Sequence, residues 1–241
     1  MNTLYNFVIF IKNSFPSFYK KAHNLWLKTP FYSWKEKKYK DEIRINFNKY
    51  SSDVFEEFFK AMDESGVTYW LACGTLLGAI REHGFIKGDM DMDVGVWIDS
   101  DFEHMDQILN QHGFTQSRRI DVYSKTGSVG FEMTYSSKGV GVDVFVFHKL
   151  DNNYIYMHDF SDSITVGRYV MFEKARRVVV PFEGLMDYEF LEHKVKIPIN
   201  YNTYIAAHYG KDYMTPNPNW GEWSSPALQV EEGAFGMIKS N

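Results

Sequence analysis

The sequence predicts an α+β fold in which a mixed sheet is flanked by helices and follows an N-terminal helical leader. Three observations lead to this prediction. Runs with period-two alternation are interspersed with segments of helical periodicity, and several of the strand-like runs are joined by short turns, such as Lys125–Ser128. Apolar residues make up 44% of the chain and aromatic residues 17%, so it can bury a sizeable core, which excludes a disordered chain.

Residues 1–40 are predicted to form a basic, aromatic leader, and residues 41–241 a single domain. Residues 1–49 carry 10 Lys and Arg against 3 Asp and Glu, with apolar side chains spaced among the lysines. Such a segment is suited to peripheral contact with an anionic membrane surface, and packing on the domain is an equal alternative. We expect neither a signal peptide nor a transmembrane helix, since the longest apolar run, residues 7–11, is far below the roughly 20 residues a bilayer requires.

The first half of the domain alternates helices and strands. Residues 41–64 fit one or two helices, and Ser51, Ser52 and Asp53 could cap the second. A short strand over 67–72 then turns at Gly74–Thr75 into a helix over 76–82. Residues 90–98 alternate acidic or small residues with apolar ones, which predicts a strand.

The second half is mainly strands. A helix capped by residues 99–101 runs to about Gln111, and strands are predicted over 114–123, 129–135 and 140–147. Shorter strands follow over 154–157, 176–181 and 194–197. A helix begins near Asn202 and closes at residues 208–210. The tail from Met214 contains three prolines and shows no regular period.

Charge and cysteine content exclude several classes of protein. Residues 50–241 hold 16 basic and 28 acidic side chains, and such an acidic body argues against binding duplex DNA; no nucleic-acid partner is expected. The single cysteine, Cys73, excludes a disulfide framework and a multi-cysteine zinc site. These features predict a reducing, cytoplasmic location.

Asp91 and Asp93 are the first candidates for chemistry. On a strand, residues two apart point to the same face, with Cα atoms about 6–7 Å apart. Two carboxylates facing the same way repel each other unless a cation lies between them, and Mg²⁺ or Mn²⁺ is the cation that such oxygen ligands suit. The alternative is a solvated acidic strand end, because Asp-x-Asp is common by chance.

Gly74 and Thr75 lie where a strand turns into a helix. Backbone N–H groups and the helix dipole at such a turn favour an anion, and glycine lets a phosphate approach closely. Arg81, further along the helix, could bind phosphate with two N–H groups. A plain turn and a surface arginine beside Glu82 are the alternatives.

Asp143 supplies a third acid, in the otherwise apolar run Val140–Phe147. A lone carboxylate is costly to bury in a strand unless it is paired or bound to a metal. If this strand lies beside the Asp91–Asp93 strand, the three carboxylates form one cluster. The alternative is a strand end exposed to water.

The order of these motifs is similar to that of the DNA polymerase beta-like nucleotidyltransferase fold, and more narrowly resembles the LicD family, which includes fukutin-related proteins. GTLLGAIREHGFI followed by DMDMDV is the specific part of the resemblance, VGVDVFVF looks like the family's later Asp-bearing strand, and HYGKDYMTPNP looks like its C-terminal helix end. The resemblance covers about residues 53–218. Here Met90 interrupts the usual acidic run, so that Asp89 matches only its first acid.

The resemblance implies phosphotransfer. A CDP-activated alcohol would donate its phospho-alcohol to a hydroxyl of a cell-surface glycan, such as lipopolysaccharide, teichoic acid or capsule, and release CMP. Asp91, Asp93 and Asp143 would hold Mg²⁺ (or Mn²⁺), with Asp143 also a candidate base. Gly74, Thr75 and Arg81 would bind the phosphates, and Asp89 would contact substrate. The expected location is the cytoplasm, or peripherally the inner membrane face.

Three alternatives stay open. A nucleotidyltransferase would use a nucleoside triphosphate and release pyrophosphate. A glycosyltransferase could use Asp-x-Asp to bind a sugar nucleotide, but would not need the Gly-Thr block. A non-catalytic nucleotide-binding module is the third alternative, and retention of all three acids argues against it.

Overall fold

A computed structural model of the chain describes residues 14–15, 29–125, 127–166 and 169–239. These belong to two compact units, Met1–Ile45 and Asn46–Asn241. Most of the predicted leader lies outside the described residues, and the predicted division at residue 40 stays a prediction. No helix of the described part is both long and apolar enough to cross a membrane.

The described chain is mixed α and β, as predicted. Its first half contains α1 (Pro30–Ser65), β1 (Tyr69–Leu71), α2 (Cys73–Arg81), β2 (Asp91–Trp97), α3 (Phe102–Gln111), β3 (Thr115–Ser124), β4 (Gly127–Ser137) and β5 (Val140–Lys149). Its second half contains β6 (Tyr154–Val166), β7 (Tyr169–Pro181), β8 (Leu185–Phe190), β9 (His193–Pro198), α4 (Tyr201–Tyr209), a 3₁₀ turn (Glu222–Ser224), β10 (Leu228–Val230) and β11 (Phe235–Lys239).

Helix α1 is continuous, so of the one or two helices predicted over 41–64 the structure shows one, and Ser51–Asp53 does not cap a second. These polar residues lie inside the helix, because the apolar face continues beyond them. Val54, Phe55, Phe58, Phe59 and Met62 are buried at helical spacing, and burial of this face outweighs the weak helix preference of two serines. The helix ends before Gly66, which has a φ of +67°.

Helix α2 begins at Cys73, three residues earlier than predicted. Gly74 and Thr75 therefore belong to its first turn rather than to a preceding loop. Helix α3 has its predicted cap, because the carboxylate of Asp101 accepts a hydrogen bond of 3.0 Å from the backbone N–H of His104.

The sequence predicts no regular structure in the C-terminal tail, and this prediction is wrong. The tail holds the 3₁₀ turn and strands β10 and β11. Strand β11 pairs with both β3 and β7, and β10 pairs with β7. These short strands are stabilised by pairing with distant segments, which the local sequence does not reveal. Strand β8 was also missed, although its partner is local: it forms a separate hairpin with β9.

Nine strands of the described part of the chain form a mixed sheet. Its order is β1-β2-β5-β4-β3-β11-β7-β10, and β6 bridges β5 and β7. Only β2 and β5 are parallel among the described pairs. The pairings β5-β4-β3-β11-β7-β6-β5 close a ring of six strands, so the sheet curls around an interior.

The main core lies between α1 and the sheet. Trp70 is completely buried at β1, and it packs against Gly95 of the paired strand β2. A Cβ at Gly95 would lie 2.4 Å from the Trp70 ring, so only glycine fits beneath it. This contact holds β1, and with it the start of α2, against the acidic strand β2.

Candidate active site

The curled sheet encloses a cavity of about 360 Å³. It is lined from strands β2 to β7, from the start of α2, from the end of α4 and from the tail around Trp220 and Glu222. Asp91, Asp93, Asp143 and Gly74 all line it. The three acids predicted to hold the metal therefore line one cavity.

Asp93 and Asp143 are direct neighbours across the parallel pair β2–β5, and Asp91 lies opposite Gly141. The predicted adjacency of the two acidic strands is confirmed. Along β2, Met92 and Val94 are fully buried while Asp91 and Asp93 are half-buried, which is the alternation expected when both carboxylates share one face. All three carboxylates consequently face the cavity.

The electrostatics of this group favour a cation. Burial, followed by repulsion from Asp91 and Asp143, raises the pKa of Asp93 well above its usual value. Burial, followed by repulsion from Asp143 and Asp89, raises the pKa of Asp91 to about 6. Crowded carboxylates disfavour each other's charged form, and a positive charge among them would reverse that penalty.

Thr75 fixes Asp93 from the first turn of α2. The Thr75 hydroxyl accepts a 2.8 Å hydrogen bond from the Asp93 backbone N–H, and the Thr75 N–H donates to Oδ2 of Asp93 at 3.2 Å. A Cβ at Gly74 would lie 3.1 Å from the same Oδ2. Glycine thus leaves room for the carboxylate at the helix start, whereas Thr75 does not itself line the cavity.

Two other predicted residues lie outside the cavity lining. Asp89 precedes β2, and its Oδ2 lies 3.6 Å from the position of a Cβ at Gly74. Burial, followed by repulsion from Glu82, raises its pKa to about 6. Arg81 binds Glu82 and the carbonyl oxygen of Tyr213 instead.

Sequence reasoning missed Arg118, Glu132 and Thr134. The Arg118 guanidinium donates to Oε1 of Glu132 at 2.8 Å and to the Thr134 hydroxyl at 3.0 Å. Burial raises the pKa of Glu132 to about 8, although Arg118 opposes the shift. Glu132 is the one acid on β4 and lies between two apolar residues. The cost of burying a lone carboxylate, which drew attention to Asp143, would also have indicated Glu132. No comparable signal marks Arg118.

The rest of the cavity lining combines charge and aromatic rings. Asp159 of β6 pairs with Arg176 of β7, and Glu222 also lines the cavity. The rings of Tyr209 and Trp220 pack against each other at a tilt, with centroids 4.6 Å apart, and also line the cavity. Trp70, in contrast, is buried in the core.

The donor chemistry at the acids fits Mg²⁺ or Mn²⁺, since all three side chains offer carboxylate oxygens. Among the described residues, no group of three or more His, Cys, Asp or Glu side chains is already arranged to hold an ion. Magnesium does not need such a group, because it commonly takes one or two protein carboxylates and completes its shell with water and substrate phosphate.

Comparison with known proteins identifies the family. Residues 66–200 match the family described as LicD/FKTN/FKRP, nucleotidyltransferase domain. The chain belongs to this family. The match contains both Asp-bearing strands, and it ends before the tail that supplies Trp220, Glu222 and β11.

Several curated relatives are members of the same family. The chain is 28% identical to the ribitol-5-phosphate transferase FKTN of Mus musculus over 195 residues, which is 80% of this chain and 39% of the relative. The human FKTN is likewise 28% identical over 197 residues, with the same coverage. The ribitol 5-phosphate transferase FKRP of Mus musculus is 25% identical over 176 residues, which is 69% of this chain and 32% of that protein. The chain thus spans well under half the length of these relatives.

Proposed function

We propose that the chain is a metal-dependent phosphotransferase. It transfers a phospho-alcohol from a CDP-activated donor to a hydroxyl of a cell-surface glycan and releases CMP. The observation that carries this proposal is the side-by-side register of Asp93 and Asp143, with Asp91 on the same face, in one cavity. Family membership and the similarity to ribitol-phosphate transferases support the type of reaction.

Asp91, Asp93 and Asp143 would hold the metal, which we take to be Mg²⁺ or Mn²⁺. When bound, a divalent cation there would offset negative charge on the diphosphate of the donor. The negative charge of the three carboxylates would hold the cation and set its position in the cavity. Thr75 keeps Asp93 oriented, and Gly74 leaves space at the start of α2 for the phosphate to approach.

The transfer breaks the phosphoanhydride bond of the donor and forms a phosphoester bond to the acceptor. The oxygen of the acceptor hydroxyl attacks the phosphorus that carries the alcohol, the bond from that phosphorus to CMP breaks, and CMP leaves with the bridging oxygen. A carboxylate of the cavity takes the hydroxyl proton. Oδ1 of Asp143 already accepts hydrogen bonds from Thr134 and Arg118, so Oδ2 is the oxygen available for the metal or the proton.

We extend the proposal to the fold, to Asp89 and to the location of the protein. The core of strands β1, β2 and β5 with helix α2 would correspond to the nucleotidyltransferase fold. Asp89 would contact substrate from the loop before β2. The protein would work at the inner membrane face, where the basic leader would meet anionic lipid.

The test is a screen of CDP-ribitol, CDP-glycerol and CDP-choline with Mg²⁺, in which CMP release is measured with and without a chelator. We expect Asp91→Asn and Asp93→Asn to abolish chelator-sensitive CMP release while the fold is retained. Asp99→Asn, at an exposed site just after β2, is the matched control and should keep full activity. Full activity in either site variant would contradict the proposal, and pyrophosphate release from CTP would select a nucleotidyltransferase.

A further inference from the structure

We infer that Arg118 is the cation of the cavity that contacts the phosphate groups of the substrate, the role that the sequence assigned to Arg81. The inference rests on the proposed function for the identity of the substrate, but the contact itself needs only a diphosphate. Three observations carry it: the bonds that occupy Arg81, the donors that Arg118 leaves available, and the register that brings Arg118 to the acids.

Arg81 is held by partners outside the cavity. Its Nε and Nη2 both donate to Oε1 of Glu82, at 3.2 and 2.8 Å, and its Nη1 donates to the carbonyl oxygen of Tyr213 at 3.1 Å. Its side chain is only 10% exposed, and it does not line the cavity. Turning the guanidinium toward the cavity would break these bonds and leave the Glu82 carboxylate without its partner.

Arg118 is the only Lys or Arg among the described residues that line the cavity. Its Nε donates to Thr134, and its Nη2 donates to Glu132 and, at 3.4 Å, to Oδ1 of Asp143. A guanidinium has five N–H groups, so the two on Nη1 remain, and neither has a hydrogen-bond partner within the described part of the chain. The side chain is 40% exposed, which leaves these donors accessible to an anion.

The sheet register places Arg118 in line with the acids. Arg118 lies opposite Thr134 on β4, Thr134 lies opposite Asp143 on β5, and Asp143 lies opposite Asp93 on β2. Register partners project from the same face, so these four side chains form one row across four strands. A phosphate held by a cation at the acids would thus meet a guanidinium at the other end of the row.

A β-bulge creates this alignment. The register of β3 against β4 shifts between Gln116 and Arg118, so that Ser117 is the extra residue. Without the shift, Ser117 would oppose Thr134 and Arg118 would point to the other face of the sheet. Bulges commonly re-aim a side chain beside an active site, and this one turns a basic residue toward three carboxylates.

Arg119 provides a matched control. It is the next residue on the same strand, yet its guanidinium lies 3.9 Å from the ring centre of Phe131 and pairs with Asp121 at 2.9 Å. It does not line the cavity. Removing its charge changes the net charge of the protein as much as removing that of Arg118, without touching the row.

The experiment measures the affinity of the full chain for inorganic pyrophosphate by calorimetry, in the presence of Mg²⁺. Arg118→Gln should weaken binding at least tenfold and Arg118→Lys to a lesser extent, whereas Arg119→Gln and Arg81→Gln should stay within about twofold of the wild type. Because Arg118→Gln leaves Glu132 unpaired, the double variant Arg118→Gln/Glu132→Gln tests the same point if the single variant unfolds, and it should show the same loss.

Wild-type affinity in either Arg118→Gln variant would overturn the inference, as would a larger loss in Arg81→Gln or no pyrophosphate binding by the wild type. The two proposals fail separately. If pyrophosphate binding depends on Arg118 but no CDP-alcohol releases CMP, the proposed function fails and the phosphate contact stands. If CMP is released and Arg118→Gln leaves the KM for the donor unchanged, the contact fails and the proposed function stands.

Discussion

Thr75 and Asp93 hold each other through two reciprocal hydrogen bonds. The Asp93 backbone N–H donates to the Thr75 hydroxyl at 2.8 Å, and the Thr75 N–H donates to the Asp93 carboxylate at 3.2 Å. The carboxylate thereby satisfies an N–H group that the first turn of a helix always leaves unpaired. The position of the acid and the start of α2 are thus set by the same two contacts.

Thr75→Val should destabilise the protein by about 1–2 kcal/mol, because the Asp93 N–H loses its acceptor while the volume of the side chain is kept. Turnover should fall further than stability, since the carboxylate of Asp93 is no longer oriented. Urea unfolding and CMP release measure the two effects. Thr75→Ser restores the hydroxyl and should recover most of both; a Val variant equal to the wild type would show that the pair is dispensable.

Asp91→Asn should stabilise the metal-free protein at neutral pH. Burial, then Asp143 and Asp89, raise the pKa of Asp91 from 3.8 to about 6, so the folded state binds a proton that the unfolded state has lost. Wild-type stability therefore falls as the pH rises from about 4 to 6, and the cost is complete above that window.

The gain of Asp91→Asn over the wild type should be on the order of 1–3 kcal/mol at pH 7 and should vanish near pH 4. Urea unfolding in chelator at several pH values measures it, with the exposed Asp99→Asn as the control. A variant less stable than the wild type at pH 7 would contradict the argument.

His208 should make the protein sensitive to acid. It is 6% exposed, and burial lowers its pKa to about 4 from the usual 6.5. Between these two pKa values the unfolded state binds a proton that the folded state does not. The contribution of His208 to the free energy of unfolding is therefore fully present above pH 6.5 and is lost as the pH falls toward 4.

A variant at this site isolates the effect of His208. Between pH 7 and pH 4, the stability difference between the wild type and His208→Phe should shift against the wild type by up to about 3 kcal/mol. Urea unfolding across this range measures the shift. His104→Gln, at an exposed site on α3, is the control. A constant difference between the wild type and His208→Phe would show that His208 does not titrate differently on folding.

Gly78→Ala should destabilise α2, although alanine favours helices. A Cβ there would lie 2.5 Å from the carbonyl oxygen of Gly84 and 3.0 Å from the backbone nitrogen of Ile86, and backbone atoms cannot move aside. The clash should cost roughly 1–3 kcal/mol, against a propensity gain of about 1 kcal/mol. Thermal unfolding gives the sign. Gly84→Ala, with nothing within 4 Å of its Cβ, is the control.

Local patterns predicted the acidic half of the site. Alternation along β2 placed Asp91 and Asp93 on one face, and the lone acid in an apolar run marked Asp143. The two glycines of the Gly-Thr-Leu-Leu-Gly motif have separate physical reasons: Gly74 makes room for Asp93, whereas Gly78 admits the following loop. The alternation and the lone acid can be recognised in the sequence because each depends on neighbouring residues, whereas the reasons for the two glycines come from the structure.

The basic half of the site could not be predicted in this way. Arg118 faces the cavity only because of the bulge at Ser117, and a single-residue shift reverses every side chain beyond it. Strand β11 could not be predicted either, because its pairing partners are distant in sequence. Local period therefore predicts many of the strands, but it predicts neither their register nor the closure of the ring.

The position of β11 bears on how the protein is made. Gly236 pairs with Val122 on one side and with Phe172 on the other, so a late segment of the chain is wedged between two earlier strands. During synthesis, the edges of β3 and β7 that pair with β11 would stay unpaired until residues near 239 had left the ribosome. Folding of this kind is slow, and the unpaired strand edges can aggregate with neighbouring chains. A chaperone that shields nascent strands would therefore raise the yield of active protein.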